Sequence, residues 1–173
     1  PDGERAPPLP VYSPEAELAA RLVGLEDWRP VGLGRLFWLV ERVGLEESPT
    51  KPHLLHSLAA FAAALASSDG IEEIPALEAA YETLIFNALM GPLVKWAKLP
   101  WHVVLVEDSV KGIQGVFRMV RRLYELGMSI RLTVFGVAPH PGPKAEVLEA
   151  YADRMVPSVN DAIEEIARLC RNG

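Results

Sequence analysis

The pattern of apolar and polar positions divides the chain near residue 101. From there onward, short valine-rich apolar runs alternate with longer segments whose apolar residues recur every three or four positions. Apolar runs of this kind are typical of buried parallel strands, and the periodic segments are typical of helices. The resulting order βαβαβα predicts parallel strands joined by right-handed crossovers. The predicted strands are residues 101–106, 130–137 and a short edge strand at 152–156, and the predicted helices are residues 112–126, 144–151 and 158–169.

Upstream of residue 101 the periodicity is helical almost throughout. Residues 53–66 carry one apolar stripe, and residues 71–98 are again mostly helical with a break near Gly91. We interpret residues 67–99 as a helical insertion or cap carried on the α/β body. The proline-rich residues 1–12 are a tail or linker, so the predicted domain spans residues 13–173. The stripe in 53–66 consists of Leu54, Leu55, Leu58, Phe61, Ala62 and Leu65.

The composition excludes several classes of protein. Hydrophobic residues make up 50% of the chain and charged residues 23%, which is typical of a globular protein. The net charge of −6 and the lack of a dense basic run argue against nucleic acid as a partner. The single cysteine, Cys170, excludes an internal disulfide and fits a reducing compartment. Because no apolar run is long enough to span a membrane and no signal peptide is recognisable, we expect a soluble, cytoplasmic protein with no membrane partner.

Two adjacent acids, Glu107 and Asp108, follow the first valine-rich strand directly. Ligands of open α/β sheets bind outside the carboxyl ends of the strands, where these acids would lie. Mg²⁺ is typically held by one or two carboxylates together with phosphate oxygens of a substrate, and the amides at the start of the next helix help to hold an anion. The alternative is that the acids only begin a turn and cap that helix.

Lys51 is a second candidate, because it stands at the start of the helix predicted over residues 53–66. A cation is unfavourable at a helix N-terminus, where the helix dipole favours anions. A lysine in this position is better explained if it meets an anion. The alternative is a solvated lysine in a loop.

Several segments together resemble the C-terminal part of the haloacid dehalogenase-like (HAD-like) hydrolase superfamily. They are VVLVEDSVKGIQGV at 103–116, the arginine-rich helix that it opens, IRLTVFGV at 130–137 and ADRMVPSVNDAIEEI at 152–166. The resemblance implies that Glu107 and Asp108 bind Mg²⁺ and that Ser109 and Gly112 support the metal-binding loop. It also implies that Lys51 is the lysine that steadies the nucleophile and the transferring phosphoryl group.

The fold and activity that the resemblance implies are those of this superfamily. We expect a three-layer, Rossmann-like α/β domain with a mostly parallel sheet and a helical insertion or cap. The implied activity is Mg²⁺-dependent hydrolysis of a phosphate monoester through an aspartyl-phosphate intermediate, with a phosphorylated small molecule as substrate.

The chain departs from the superfamily at its most important motif. The nucleophile should lie in an Asp-x-Asp-x-Thr motif after the first strand, and this motif does not occur in the 173 residues. A parallel sheet without that strand would leave backbone groups unpaired. We expect that the strand precedes Pro1, that a partner supplies it, or that the sheet is rearranged. The first is favoured because the chain starts without methionine.

Two functions follow from these observations. If the nucleophile belongs to this protein, the protein is a Mg²⁺-dependent hydrolase, although residues 1–173 alone should be inactive. The alternative is a non-catalytic HAD-like protein that uses the apolar helices of residues 35–98 to bind a partner or to associate with itself as a homo-oligomer.

Overall fold

The computed structural model describes residue 22, residues 31–44 and residues 53–171. Within these residues the chain forms seven α-helices and three β-strands. None of the helices in this part of the chain is both long and apolar enough to cross a membrane. The predicted tail, residues 1–12, lies outside the described residues. The helices are α1 (Leu33–Val43), α2 (Leu54–Asp69), α3 (Glu73–Phe86), α4 (Pro92–Trp96), α5 (Val110–Glu125), α6 (Pro143–Glu149) and α7 (Val159–Arg171), and the strands are β1 (Trp101–Glu107), β2 (Ile130–Val137) and β3 (Arg154–Val156).

The three strands form a parallel sheet in the order β1-β2-β3. The predicted alternation of strands and helices after residue 101 is therefore confirmed, and the chain is a mixed α/β protein. The prediction of a buried first strand is wrong in degree, because most side chains of β1 are only half-buried and His102 is exposed. Within the described part of the chain β1 lies at the edge of the sheet and pairs with β2 alone, which leaves its side chains less covered.

Helices cover both faces of the sheet. On one face, Ile113 of α5 and Leu148 of α6 pack with Val134 of β2 in a buried cluster. On the opposite face, Ala162 of α7 packs with Phe135 of β2. Successive side chains of a strand point to opposite faces, so the valine-rich runs that the sequence shows supply apolar residues to both clusters.

The helical part of the chain belongs to the largest apolar cluster. Trp96 and Leu58 are buried in it together with Met119 and Leu123 of α5, and Trp101 of β1 packs against it. The apolar stripe predicted in residues 53–66 is confirmed, since five of its six residues, all except Leu54, are buried in α2. Helix α2 continues to Asp69, and Gly70 ends it in the left-handed conformation (φ 66°). The interpretation of residues 67–99 as an insertion stays a prediction.

Asp153 extends the short strand β3 by one further pairing. Its backbone N–H donates to the Val134 carbonyl (2.9 Å), and its carboxylate accepts a hydrogen bond from the Val134 N–H (2.8 Å). The side chain thus supplies the acceptor that a strand carbonyl would otherwise provide, because β3 begins only at Arg154. This gives a structural reason for an aspartate directly before the strand.

Candidate functional site

The adjacent acids lie at the carboxyl edge of the sheet, as the sequence predicts. Glu107 is the last residue of β1 and lies opposite Gly136 of β2, and Asp108 follows it. Ser109 is the N-cap of α5 with extended backbone (φ −135°). We refer to Glu107, Asp108 and Ser109 as the acidic turn. The parallel register therefore brings these residues to the edge where α/β proteins bind ligands.

Ser109 is the residue that caps the helix, so neither of the two acids is its N-cap. Its hydroxyl oxygen accepts a hydrogen bond from the Gly112 N–H (3.2 Å). The same hydroxyl donates to Oε1 of Glu107 (2.7 Å). One side chain thus satisfies the helix start and fixes the orientation of the first carboxylate.

Gly112 leaves room for the Glu107 side chain, which lies against the first turn of α5. A Cβ atom at residue 112 would lie 2.2 Å from Cδ and Oε2 of Glu107 and 2.7 Å from its Cγ. These distances are shorter than any van der Waals contact. Glu107 can therefore take this position only when residue 112 is glycine. Ser109 therefore orients the Glu107 carboxylate by a hydrogen bond, and Gly112 leaves the space that this position of the carboxylate needs. Their support of a metal-binding loop stays a prediction.

Asp108 is paired with Lys144, a lysine that the sequence analysis did not select. Nζ of Lys144 donates to Oδ2 of Asp108 (2.8 Å), and the two side chains are 60% and 64% exposed. This hydrogen bond, aided by the lysine charge, lowers the pKa of Asp108 below its usual value despite partial desolvation. An ammonium group thus lies next to one of the two carboxylates of the acidic turn.

Replacing Lys144 with methionine should raise the pKa of Asp108 toward its usual value. The pKa of Asp108 is lowered in the folded chain, so the pair stabilises the fold above the usual carboxyl pKa and loses this effect as the pH falls. Because the pair is exposed, its contribution to the free energy of unfolding is about 0–1 kcal/mol. An NMR titration of the Asp108 carboxyl carbon measures the shift. Lys111→Met, which removes a lysine beside the same turn, should leave the titration unchanged; an unchanged titration in Lys144→Met would contradict the pairing.

The two carboxylates of the acidic turn match the number of protein ligands that a Mg²⁺ site needs, and they are too few for a zinc site. Among the residues that the structure describes, no three His, Cys, Asp or Glu side chains gather as a metal-binding group. Zinc sites need three or four protein ligands, whereas Mg²⁺ keeps several waters and takes one or two carboxylates plus phosphate oxygens. Glu107 and Asp108 supply that number of carboxylates. A metal ion here would share Asp108 with Lys144 or displace it.

Lys51, the lysine that the sequence analysis selected, lies outside the described residues. Among the described residues, Lys144 is a lysine that the fold brings to Asp108. The sequence contained a signal for Lys144, namely its position in the first turn of α6, directly after the proline-rich loop that follows β2. The dipole argument that selected Lys51 applies equally to Lys144.

The chain was compared with protein-family models, with curated proteins and with solved structures, and none of the three comparisons finds a match. The chemistry of the acidic turn is therefore inferred from its residues, their spacing and their contacts.

Proposed function

We propose that the acidic turn binds Mg²⁺ and, through it, the phosphate group of a small molecule, as the metal-binding part of a HAD-like phosphate monoester hydrolase with a Rossmann-like core. The observation that carries this proposal is the pair of carboxylates at the carboxyl end of a parallel strand. Glu107 is held by Ser109, and Asp108 lies beside Lys144. Both features favour an ordered site for a cation together with an anion.

Each residue of the turn has a defined part in this proposal. Glu107 and Asp108 would hold the metal, which neutralises charge on a transferring phosphoryl group and polarises its oxygens. Ser109 orients Glu107. Lys144, whose ammonium group already lies next to Asp108, would supply positive charge to the phosphate oxygens. An aspartyl nucleophile in the motif that the resemblance implies does not occur in the chain, so residues 1–173 alone should bind the ligands without hydrolysing the ester.

A second candidate function is non-catalytic self-association of a HAD-like protein, which exposed apolar side chains in the helical part favour. Phe86 at the end of α3 is 62% exposed and Val94 in α4 is 49% exposed. Exposed apolar patches often mark protein–protein contacts. Light scattering over a range of concentrations distinguishes self-association from the first proposal. A stable dimer that Phe86→Ser dissociates, in a protein that does not bind Mg²⁺, would favour the self-association function.

Titration of the 173-residue chain with Mg²⁺ tests the first proposal. Calorimetry gives the affinity, and broadening of NMR signals by Mn²⁺ locates the ion. Asp108→Asn and Glu107→Gln should each weaken binding by at least about tenfold, since even second-layer residues of metal sites commonly have effects of that size. Asp161→Asn is the matched control, because Asp161 is an exposed acid after β3 at the same edge of the sheet.

Two results would contradict the proposal. One is the absence of a Mn²⁺ effect at the acidic turn. The other is an equal loss of affinity in the Asp161→Asn control.

Phenyl phosphate serves as the probe for the anion. It should bind only in the presence of Mg²⁺, and Lys144→Met should weaken its binding.

A further inference from the structure

A separate pocket lies at the carboxyl ends of β2 and β3, bounded by the loop after β2, by α6 and by β3. Its volume is about 360 Å³, within the range of small-molecule sites. Three proline rings, Pro139, Pro141 and Pro157, line it together with Ala145 and Met155. The acids of the acidic turn do not line this pocket.

The walls of the pocket suit a compact apolar group. Proline side chains fix the local backbone, so a pocket lined by several of them is largely formed before a ligand binds. Met155 adds a flexible, polarisable side chain that adapts to the shape of a ligand. The position also agrees with the preference of α/β proteins for ligands beyond the carboxyl ends of their strands.

Two polar residues, Glu149 of α6 and His140 of the loop, also line the pocket. Both are exposed. Nearby cations are engaged elsewhere, since Lys144 pairs with Asp108 and Arg154 with Glu165. Among the residues that the structure describes, no ion pair includes Glu149. The carboxylate of Glu149 is therefore available to a positively charged ligand.

We propose that this pocket binds a small molecule with a compact apolar body and a protonated amine. The body would lie against Met155 and the proline rings, and the amine would meet the Glu149 carboxylate. Apolar walls with a single carboxylate complement a ligand of this kind and disfavour an anionic one. The proposal does not depend on Mg²⁺ or on the function proposed for the acidic turn.

Three probes of similar shape and different charge test the pocket: benzylamine, benzyl alcohol and benzoate. NMR titrations of the intact chain follow the methyl signals of Ala145 and Met155. We expect benzylamine to bind best, with a Kd of about 1 mM or weaker, as is usual for fragments. It should bind up to about fivefold better than benzyl alcohol, the size of effect expected for an exposed ion pair. Benzoate should bind worst.

Two variants separate the roles of charge and shape. Glu149→Gln should remove the preference for benzylamine and leave benzyl alcohol binding unchanged. Ala145→Leu fills the pocket and should weaken both probes by at least about tenfold, because the apolar surface that the aromatic ring covers is then occupied. Ala150→Leu, an exposed position at the end of α6, is the control that should change neither.

The wild-type titration keeps the proposal falsifiable even if Ala145→Leu fails to fold. Absence of shifts at Ala145 and Met155 with every probe would overturn it. A preference for benzoate, or a preference for benzylamine that persists in Glu149→Gln, would also overturn it.

Discussion

Replacing Gly112 with alanine is expected to weaken Mg²⁺ binding at the acidic turn by at least about tenfold while changing the free energy of unfolding by less than about 1 kcal/mol. The added Cβ would lie 2.2 Å from the Glu107 carboxyl group, so that carboxylate has to move. The strain is relieved by rotating the flexible Glu107 side chain, since its Cγ, Cδ and Oε2 are the nearest atoms to the added Cβ. The helix itself gains from alanine in place of glycine, which offsets part of the strain.

A double-mutant cycle shows whether the effect passes through Glu107. In a Glu107→Ala background the side chain that Gly112 accommodates is gone, so adding Gly112→Ala should cause no further loss of Mg²⁺ affinity. Calorimetric titrations of the wild type, both single variants and the double variant give the coupling. Wild-type affinity in Gly112→Ala would show that Glu107 does not hold the metal. An equal loss in both backgrounds would show that residue 112 acts by another route.

The sequence predicted those parts of the site that depend on neighbouring residues. The strand, the adjacent acids and the helix start all lie between residues 101 and 112, and Ser109 caps a helix by accepting from an amide three residues later. Interactions this local are fixed by residue type and spacing. The parallel order of the strands also followed from the alternation of periods, because a strand, a helix and a second strand leave few other arrangements.

The parts that escaped prediction depend on contacts between distant residues. Lys144 reaches Asp108 across 36 positions, and the Asp153 carboxylate accepts from Val134 across 19. Such contacts require the strand order, the register and the length of each loop, which periodicity alone does not give. The half-buried state of β1 has the same origin, since a valine-rich run looks alike in the centre and at the edge of a sheet.

The helical part of the chain is joined to the start of β1 by two tryptophan side chains. Nε1 of Trp96 donates to Oδ2 of Asp69 at the end of α2 (2.7 Å), and Nε1 of Trp101 donates to the Trp96 carbonyl (2.7 Å). Lys95 also donates to Asp69. The hydrogen bond from Lys95, followed in size by that from Trp96, lowers the pKa of the Asp69 carboxyl group. The stability that Asp69 contributes is therefore present above its usual pKa and is lost as the pH falls through the lowered value.

Replacing Trp96 with alanine should lower the free energy of unfolding by about 3–5 kcal/mol, because the ring is 1% exposed and its loss leaves a large cavity. Trp96→Phe keeps most of the ring and loses the N–H donor, so its effect should be about 1–2 kcal/mol. Urea unfolding followed by circular dichroism measures both changes. Trp38→Phe, which replaces a half-buried tryptophan of α1, is the matched control and should have a smaller effect.

The same variant decides whether residues 67–99 fold as a separate cap. Trp96 shares one apolar cluster with α5, which connects β1 to β2, so its loss should destabilise the helices and the sheet together. The free energy of opening that hydrogen exchange measures should then fall by the same amount at the amides of α3 and of β2, as in a single cooperative transition. If exchange rises in α3 alone while β2 keeps its protection, the helices are a cap of independent stability. The acidic turn would then be positioned by the sheet and α5 without them.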